Sequence, residues 1–155
     1  MWELAQVNVA VMRAPLSDPS MAAFVAAFDP VARLAEESPG FVWHLRSTSG
    51  HTVVTGENGI DQVVNLSVWR NYENLHEFIY RSNHGQLLLR RKRWFLSMPQ
   101  PSTALWWVPA GERPRLDQAL ARLRHLRIYG PSPRAFSLLR RFTADGHRVQ
   151  GYRGR

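Results

Sequence analysis

The chain has 155 residues, 45% of them hydrophobic, with six tryptophans, no cysteine and a formal net charge of +8. This composition predicts one globular domain and not a disordered segment. The lack of cysteine excludes disulfides, thiolate metal sites and a cysteine nucleophile. The first residues resemble a strand and not a signal peptide, and no apolar run reaches the roughly 18 to 20 residues of a membrane helix. We therefore expect a cytoplasmic protein without membrane contacts.

The charge is distributed unevenly along the chain. Residues 1–85 carry five Lys/Arg and nine Asp/Glu (net −4), whereas residues 86–155 carry fifteen and three (net +12). The imbalance is explained either by solubility or by an acidic partner. The four consecutive cations at 90–93 cover about 300° of a helix, so they cannot all face one phosphate backbone. We expect a solvated helix surface with one or two inward-reaching arginines, and no nucleic-acid binding.

The apolar periodicity predicts the element order β-α-β-β-α-β over residues 3–110. Alternating patterns predict strands, and three- and four-residue spacings predict helices. The predicted strands are 3–12, 40–47, 61–69 and 103–110, and the predicted helices are 19–37 and 72 to about 97, with a pause at 83–85. Pro30 should kink or split the first helix, and Asn71 is the expected N-cap of the second. Residues 47–62, around a short TVV, predict a long hairpin connection.

The rest of the chain predicts an extension of this core. A helix should begin near Pro114 and end at Gly130, and AFSLLRRF (135–142) should form a peripheral strand. Residues 143–155 are expected to be a flexible tail. The whole is an α+β fold of the ferredoxin-like pattern, an antiparallel sheet with helices on one face and a C-terminal α-β extension at 111–142, and we treat residues 1–142 as one domain.

The predicted strands 3–12 and 61–69 each have one aliphatic face and one mixed face. The mixed faces carry Gln6, Asn8, Met12, Asn65, Ser67 and Trp69. Trp43 and one of the consecutive Trp106 and Trp107 would be poorly placed in water. Pairing of two sheets in a homodimer would hide them, and we favour it. The alternative is that residues 114–142 fold back and cover them.

At this point the residues resemble the dimeric α+β barrel superfamily, which includes antibiotic-biosynthesis and heme-degrading monooxygenases. The segment VWRNYENLHEFIYRSNHGQLL is similar to one in which such enzymes end a strand with Trp, open a helix with Glu or Asp and place Ser-x-x-His near its middle. Here these positions are Trp69, Glu73 and Ser82-Asn83-His84, so the spacing is one residue shorter. Asn8 resembles the pocket asparagine of the heme-degrading branch. WWVPAG and the helix after it are similar to an uncharacterised domain-of-unknown-function family of this superfamily.

The resemblance implies a set of candidate site residues. His84, beside Gly85 at a helix interruption, is the candidate proton acceptor, since an imidazole titrates near neutrality. Asn8 is the candidate polar handle. The residues expected to bind substrate are Trp69, Trp43, Asn65, Arg81 and Arg90. We expect no metal held by side chains, because His76 and His84 have no third ligand at metal spacing.

Three functions are consistent with these residues. The first is a monooxygenase-like enzyme for a small hydrophobic, aromatic or polyketide-like substrate, without a cofactor. The second places heme in the same pocket, with His84 as axial ligand and Arg81 or Arg90 against the propionates. The third is a non-enzymatic ligand-binding or scaffold dimer whose basic C-terminal third meets an acidic partner.

Overall fold

The computed structural model describes residues 1–48, 50–56, 58–82 and 91–150. Within these ranges the strands are β1 (Trp2–Met12), β2 (Phe41–His44), β3 (Thr52–Thr55), β4 (Asp61–Trp69), β5 (Phe95–Leu96) and β6 (Thr103–Pro109). The helices are α1 (Ala22–Ala26), α2 (Phe28–Glu36), α3 (Tyr72–Ser82) and α4 (Leu116–Tyr129), with a 3-10 turn at Pro19–Met21 before α1. None of the helices in these ranges has the length and apolar character needed to cross a bilayer.

The strands form one antiparallel sheet whose central pair is β1 and β4. β2 and β3 both pair with β4, and β5 and β6 both pair with β1. The order β2-β4-β1-β6 is that of the ferredoxin-like fold, so the predicted α+β class is confirmed. The register of the central pair sets Gln6 opposite Ser67 and Asn8 opposite Asn65. The polar residues of the two mixed faces therefore meet in the middle of the sheet.

The two faces of the sheet are covered by different helices. Against the mixed face, α1, α2 and α3 form the roof of a cavity, so we call it the helix face. The aliphatic face is formed by Ala5, Val7, Val9, Val64, Leu66 and Val68, and α4 packs on it with Ala119, Leu123 and Leu126. Trp106 is also buried there, only 2% exposed. The C-terminal extension thus covers Trp106 within one chain, as in the second of our two alternatives; the homodimer stays a prediction.

Three local expectations are confirmed. The predicted first helix is split at Ala27 into α1 and α2. Pro30 is the third residue of α2, where its missing N–H costs nothing because first-turn N–H groups have no partner within the helix. Asn71 caps α3, since its Oδ1 accepts a hydrogen bond from the Asn74 N–H at 2.9 Å. Gly130 ends α4 with a φ of 76°.

Other expectations are wrong. Residues 135–142 form no strand but isolated bridges, including Leu105 to Phe136, because Ser137 and Arg140 bond to each other in a local turn. The short TVV is strand β3 and not merely a loop. Residues 91–94 are helical as predicted, but the helix ends there and not near residue 97, because Phe95 and Leu96 form β5. The flexibility of the tail stays a prediction; within residues 143–150 the Val149 N–H donates to the Arg141 carbonyl.

Candidate functional site

A cavity of about 260 Å³ lies between the helix face of the sheet and helices α1, α2 and α3. Its floor is polar and is formed by Asn8 on β1 together with Asn65 and Ser67 on β4. Its walls are mainly apolar and come from the helices and from residues 91–95. An apolar pocket with a few convergent polar groups is the usual form of a small-molecule site. We call it the sheet–helix cavity.

The floor is held by hydrogen bonds between neighbouring strands. Gln6 Nε2 donates to Asn65 Oδ1 at 3.1 Å and to Ser67 Oγ at 2.9 Å. Asn8 Nδ2 donates to Thr103 Oγ1 at 2.6 Å. Because Gln6 and Ser67 are both buried, these bonds fix their side chains. The floor is therefore preorganised before any ligand arrives.

The walls of the cavity are rich in aromatic rings. Phe24 packs edge-on against Phe95, with ring centroids 4.9 Å apart, and lies 5.5 Å from Trp94. At the other end, Trp69 stacks on Phe78, with centroids 4.9 Å apart. Such walls favour a flat, apolar ligand, since aromatic pairs prefer stacked or edge-to-face contacts.

His51, just before β3, is sandwiched among these rings. It stacks on Phe24 with centroids 4.1 Å apart and meets Phe28 edge-on at 4.8 Å. Its Nε2 lies 3.2 Å from the Phe24 carbonyl oxygen, which can only accept, so Nε2 carries the hydrogen. Burial lowers the pKa of His51, although its bond to Phe24 opposes the shift. His51 is therefore neutral at pH 7, with an unprotonated Nδ1 that can accept a proton.

A second histidine of the cavity, His44 on β2, is tied to a carboxylate. Its Nε2 lies 2.9 Å from Glu36 Oε1, and Arg46 Nη2 donates to the same oxygen at 2.7 Å. The hydrogen bond from His44, and more weakly the charge of Arg46, lower the pKa of Glu36. Glu36 thus fixes the His44 ring at one end of the cavity.

The structure brings together three of the sequence-predicted site residues. Asn8, Asn65 and Trp69 all line the sheet–helix cavity. The Trp69 indole is fully buried and its N–H donates to Ser67 Oγ at 2.9 Å, so it contributes a wall and not a free donor. Arg91, of the basic run, also reaches the cavity, while Lys92 and Arg93 are exposed as expected.

The other predicted residues lie elsewhere. Trp43 packs on the aliphatic face, because a β-bulge between Phe41 and Trp43 shifts the register and sends their side chains to opposite faces. Arg81 is exposed and pairs with Glu77 at 2.8 Å, away from the cavity. His84 and Arg90 lie outside the described residues.

Sequence reasoning missed His44, His51 and Ser67 as cavity residues. His44 could have been found, because alternation along β2 places it on the face opposite Trp43. Its pairing with Ser67 in the structure shows that this is the helix face. His51 gave no such signal: its environment depends on α1 and α2, which are distant in sequence.

The described residues offer little to a metal or to heme. Within the described ranges, no three His, Cys, Asp or Glu residues are grouped to hold a metal ion. Of the histidines that line the cavity, His44 and His51 have Nε2 engaged by Glu36 and by a backbone carbonyl. A cavity of about 260 Å³ is smaller than the roughly 300–1,000 Å³ of drug-sized sites. The described residues thus fit a smaller ligand than heme.

Comparison with known families places the chain in one of them. The family model described as Domain of unknown function (DUF3291) matches residues 3–152, nearly the whole chain. The chain belongs to this family. Membership confirms the predicted resemblance to an uncharacterised family, and it assigns no reaction. Comparison with curated proteins gives no significant match.

Solved structures similar to this DUF3291 chain include monooxygenase-like proteins. A variant of SnoaB, a cofactor-independent oxygenase from Streptomyces nogalater, has a TM-score of 0.44 and 15% identity over 72% of this chain and 95% of that one. NE2512, a protein of unknown function from Nitrosomonas europaea, has a TM-score of 0.38 and 15% identity over 74% and 97%. A candidate antibiotic-biosynthesis monooxygenase from Bacillus cereus has a TM-score of 0.35 and 14% identity over 73% and 98%. At these scores the likeness says nothing about the reaction.

Proposed function

We propose that the protein binds a small, flat aromatic molecule in the sheet–helix cavity and oxidises it as a cofactor-independent monooxygenase, with a role in secondary metabolism. The observation that carries this proposal is the position of His51. A neutral imidazole, whose Nδ1 has no hydrogen-bond partner among the described residues, lies among aromatic rings in the cavity whose floor carries amide and hydroxyl groups. A base near an apolar ligand with polar groups to orient it is what proton abstraction requires.

The proposed reaction needs no group beyond the substrate and oxygen. His51 Nδ1 accepts a proton from an activated methylene carbon, and the resulting carbanion, delocalised over the rings, passes electrons to O₂. Overall the methylene and O₂ give a ketone and water. The carbon loses four electrons and O₂ gains four, one oxygen atom becomes the carbonyl, and the other leaves as water with the two hydrogens.

The remaining cavity residues have supporting roles in this proposal. Asn8 and Asn65 orient the polar edge of the substrate, and Trp69 with Phe78 provides a flat wall. Arg91 lies where it can meet a substrate carboxylate or hydroxyl. His84, the base expected from the sequence, remains a candidate for the same step.

The test is oxygen uptake with anthrone, a flat tricyclic ketone with an activated methylene. Wild-type protein should consume oxygen and form the quinone with no added cofactor. His51→Gln should lower the rate by about 100-fold or more, whereas His76→Gln, on the exposed side of α3, should leave it unchanged. His84→Ala is measured in parallel to separate the two candidate bases.

Three results would contradict the proposal in different ways. A rate lost in His84→Ala but kept in His51→Gln would move the base to His84. Activity that appears only with added hemin, with a saturable Soret shift, would favour the heme alternative. Binding of aromatic ligands without turnover of any of them would leave a ligand-binding protein.

A further inference from the structure

The floor of the sheet–helix cavity contains a serine whose hydrogen-bonding capacity is only partly used. Ser67 Oγ accepts hydrogen bonds from Gln6 Nε2 and from Trp69 Nε1, both at 2.9 Å. A hydroxyl has two lone pairs to accept with and one hydrogen to donate. Both lone pairs are occupied, and among the described residues no acceptor takes the hydrogen. Since Ser67 lines the cavity, its O–H is available to a ligand.

Asn65 also has an unused donor, because Gln6 engages only its side-chain oxygen. The second hydrogen of Gln6 Nε2 is donated to Asn65 Oδ1 at 3.1 Å, which turns the Asn65 NH₂ away from Gln6. No acceptor for this NH₂ occurs in the described part of the chain, and Asn65 is exposed to the cavity. Ser67 Oγ and Asn65 Oδ1 lie 2.9 and 3.1 Å from the same Gln6 nitrogen, so the two side chains are neighbours on the cavity floor.

We propose that Ser67 and Asn65 form a donor pair that binds a carbonyl, enolate or phenolate oxygen of the ligand, with Gln6 as the residue that positions both. The inference rests on the proposed function and narrows its ligand to aromatic molecules with an oxygen at one edge. Fixed donors in an apolar cavity stabilise negative charge that develops on such an oxygen more than water does. Removal of a proton by His51 creates that charge, so the pair and the base act in the same step.

The direction of this network depends on the orientation of the Gln6 amide. Turned by half a rotation, Gln6 would present its oxygen, accept from Ser67 and Asn65, and leave an acceptor facing the cavity. The two directions make opposite predictions about the ligand. A carbonyl ligand binds the donor pair, and an N–H ligand binds the reversed network.

Three probes of nearly equal shape test the proposal: 9-fluorenone, which presents a carbonyl, fluorene, which presents a methylene, and carbazole, which presents an N–H. Equilibrium dialysis gives the dissociation constant of each with the full chain. We expect fluorenone to bind about 10-fold tighter than fluorene, with carbazole no better than fluorene. Ser67→Ala should remove most of the fluorenone preference and leave fluorene binding unchanged. Ser132→Ala, which removes a hydroxyl outside the cavity, should keep the preference.

Gln6→Glu tests the positioning role without removing either donor. A carboxylate can only accept, so it would engage the Ser67 O–H and the Asn65 NH₂ and abolish the fluorenone preference. Circular dichroism confirms that each variant is folded. Equal binding of all three probes overturns the donor pair but leaves the aromatic cavity intact, and a preference for carbazole shows that the network runs the other way. Failure of all three to bind contradicts the proposed function itself.

Discussion

At the scale of single residues, the chemistry of His51 is decided by its neighbours. In the sequence it stands in a Ser/Thr/Gly-rich connection that is typical of exposed loops. In the fold Phe24 and Phe28 enclose the ring, and the Phe24 carbonyl selects the tautomer with the hydrogen on Nε2. The residue that serves as base in our proposal is therefore created by packing of α1 and α2 against the hairpin.

Burial of His51 makes the stability of the protein depend on pH. Because the pKa of His51 is lowered in the folded state, the unfolded chain binds more protons below its ordinary pKa of about 6.5. We expect the free energy of unfolding contributed by this residue to be complete above that pH and to be lost as the pH falls through the lowered pKa of the folded state. Melting temperatures measured between about pH 7 and pH 5 should fall less steeply with decreasing pH for His51→Gln than for wild type.

The comparison needs a control, since other groups also titrate on acidification. His76→Gln changes an exposed histidine and should keep the wild-type slope. The pKa of Glu36 is lowered as well, but a carboxylate titrates below the range used here. Equal slopes for His51→Gln and wild type would show that the ring is not buried as described.

Gly40 is a residue whose identity is dictated by the backbone. It follows α2 with a φ of 78°, and a Cβ built on it would overlap the side chain of Asn74 in α3. Gly40→Ala should destabilise the protein by about 2 kcal/mol or more, measured by urea denaturation. Gly111→Ala, where φ is 88° and nothing lies near the added methyl group, should cost only about 1 kcal/mol. If the two cost the same, Asn74 can move aside freely.

At the scale of elements, the sequence pattern predicted what depends on neighbours in the chain. The core strands, the split of the first predicted helix three residues before Pro30 and the cap at Asn71 follow from alternation, a missing N–H and a side-chain acceptor, all of which act within a few residues. The bulge before Trp43 and the short strand β5 depend on pairing with β4 and β1, more than 20 residues away in each case. The candidate site is of the second kind, and the three of its residues that were predicted, Asn8, Asn65 and Trp69, all lie on strands β1 and β4.

The helix α4 was predicted well from the sequence, but the surface on which it packs was not. Its apolar stripe is evident in the sequence, yet only the structure places it on the aliphatic face, where Leu123 is 3% exposed. Leu123→Ala should therefore destabilise the protein by about 2–5 kcal/mol. Ile128→Ala, on the same helix but 63% exposed, should change stability by no more than about 0.5 kcal/mol. Denaturant titration measures both, and similar small values would mean that α4 does not pack on the sheet.

At the scale of the whole molecule, α4 changes the argument for a homodimer. A homodimer was expected because Trp43 and one of Trp106 and Trp107 would be poorly placed in water, but α4 already helps to bury Trp106 on the aliphatic face. The partly buried residues of this face include Trp43, Leu45 and Val54 at the β2–β3 end, where the Arg113 guanidinium lies 5.8 Å from the Trp43 ring centre. We therefore expect a homodimer that uses this face to form at the β2–β3 end.

We expect light scattering coupled to gel filtration to give the mass of a dimer for the wild-type chain. Trp43→Lys should shift the protein to monomer, because a lysine in a desolvated apolar contact loses its hydration. Tyr129→Lys, at the 71% exposed end of α4, should remain dimeric. Far-UV circular dichroism of each variant checks that the sheet is intact. A monomeric wild type would refute the dimer, and its covered aliphatic face would then be explained by α4 alone; a dimer that survives Trp43→Lys would place the interface elsewhere.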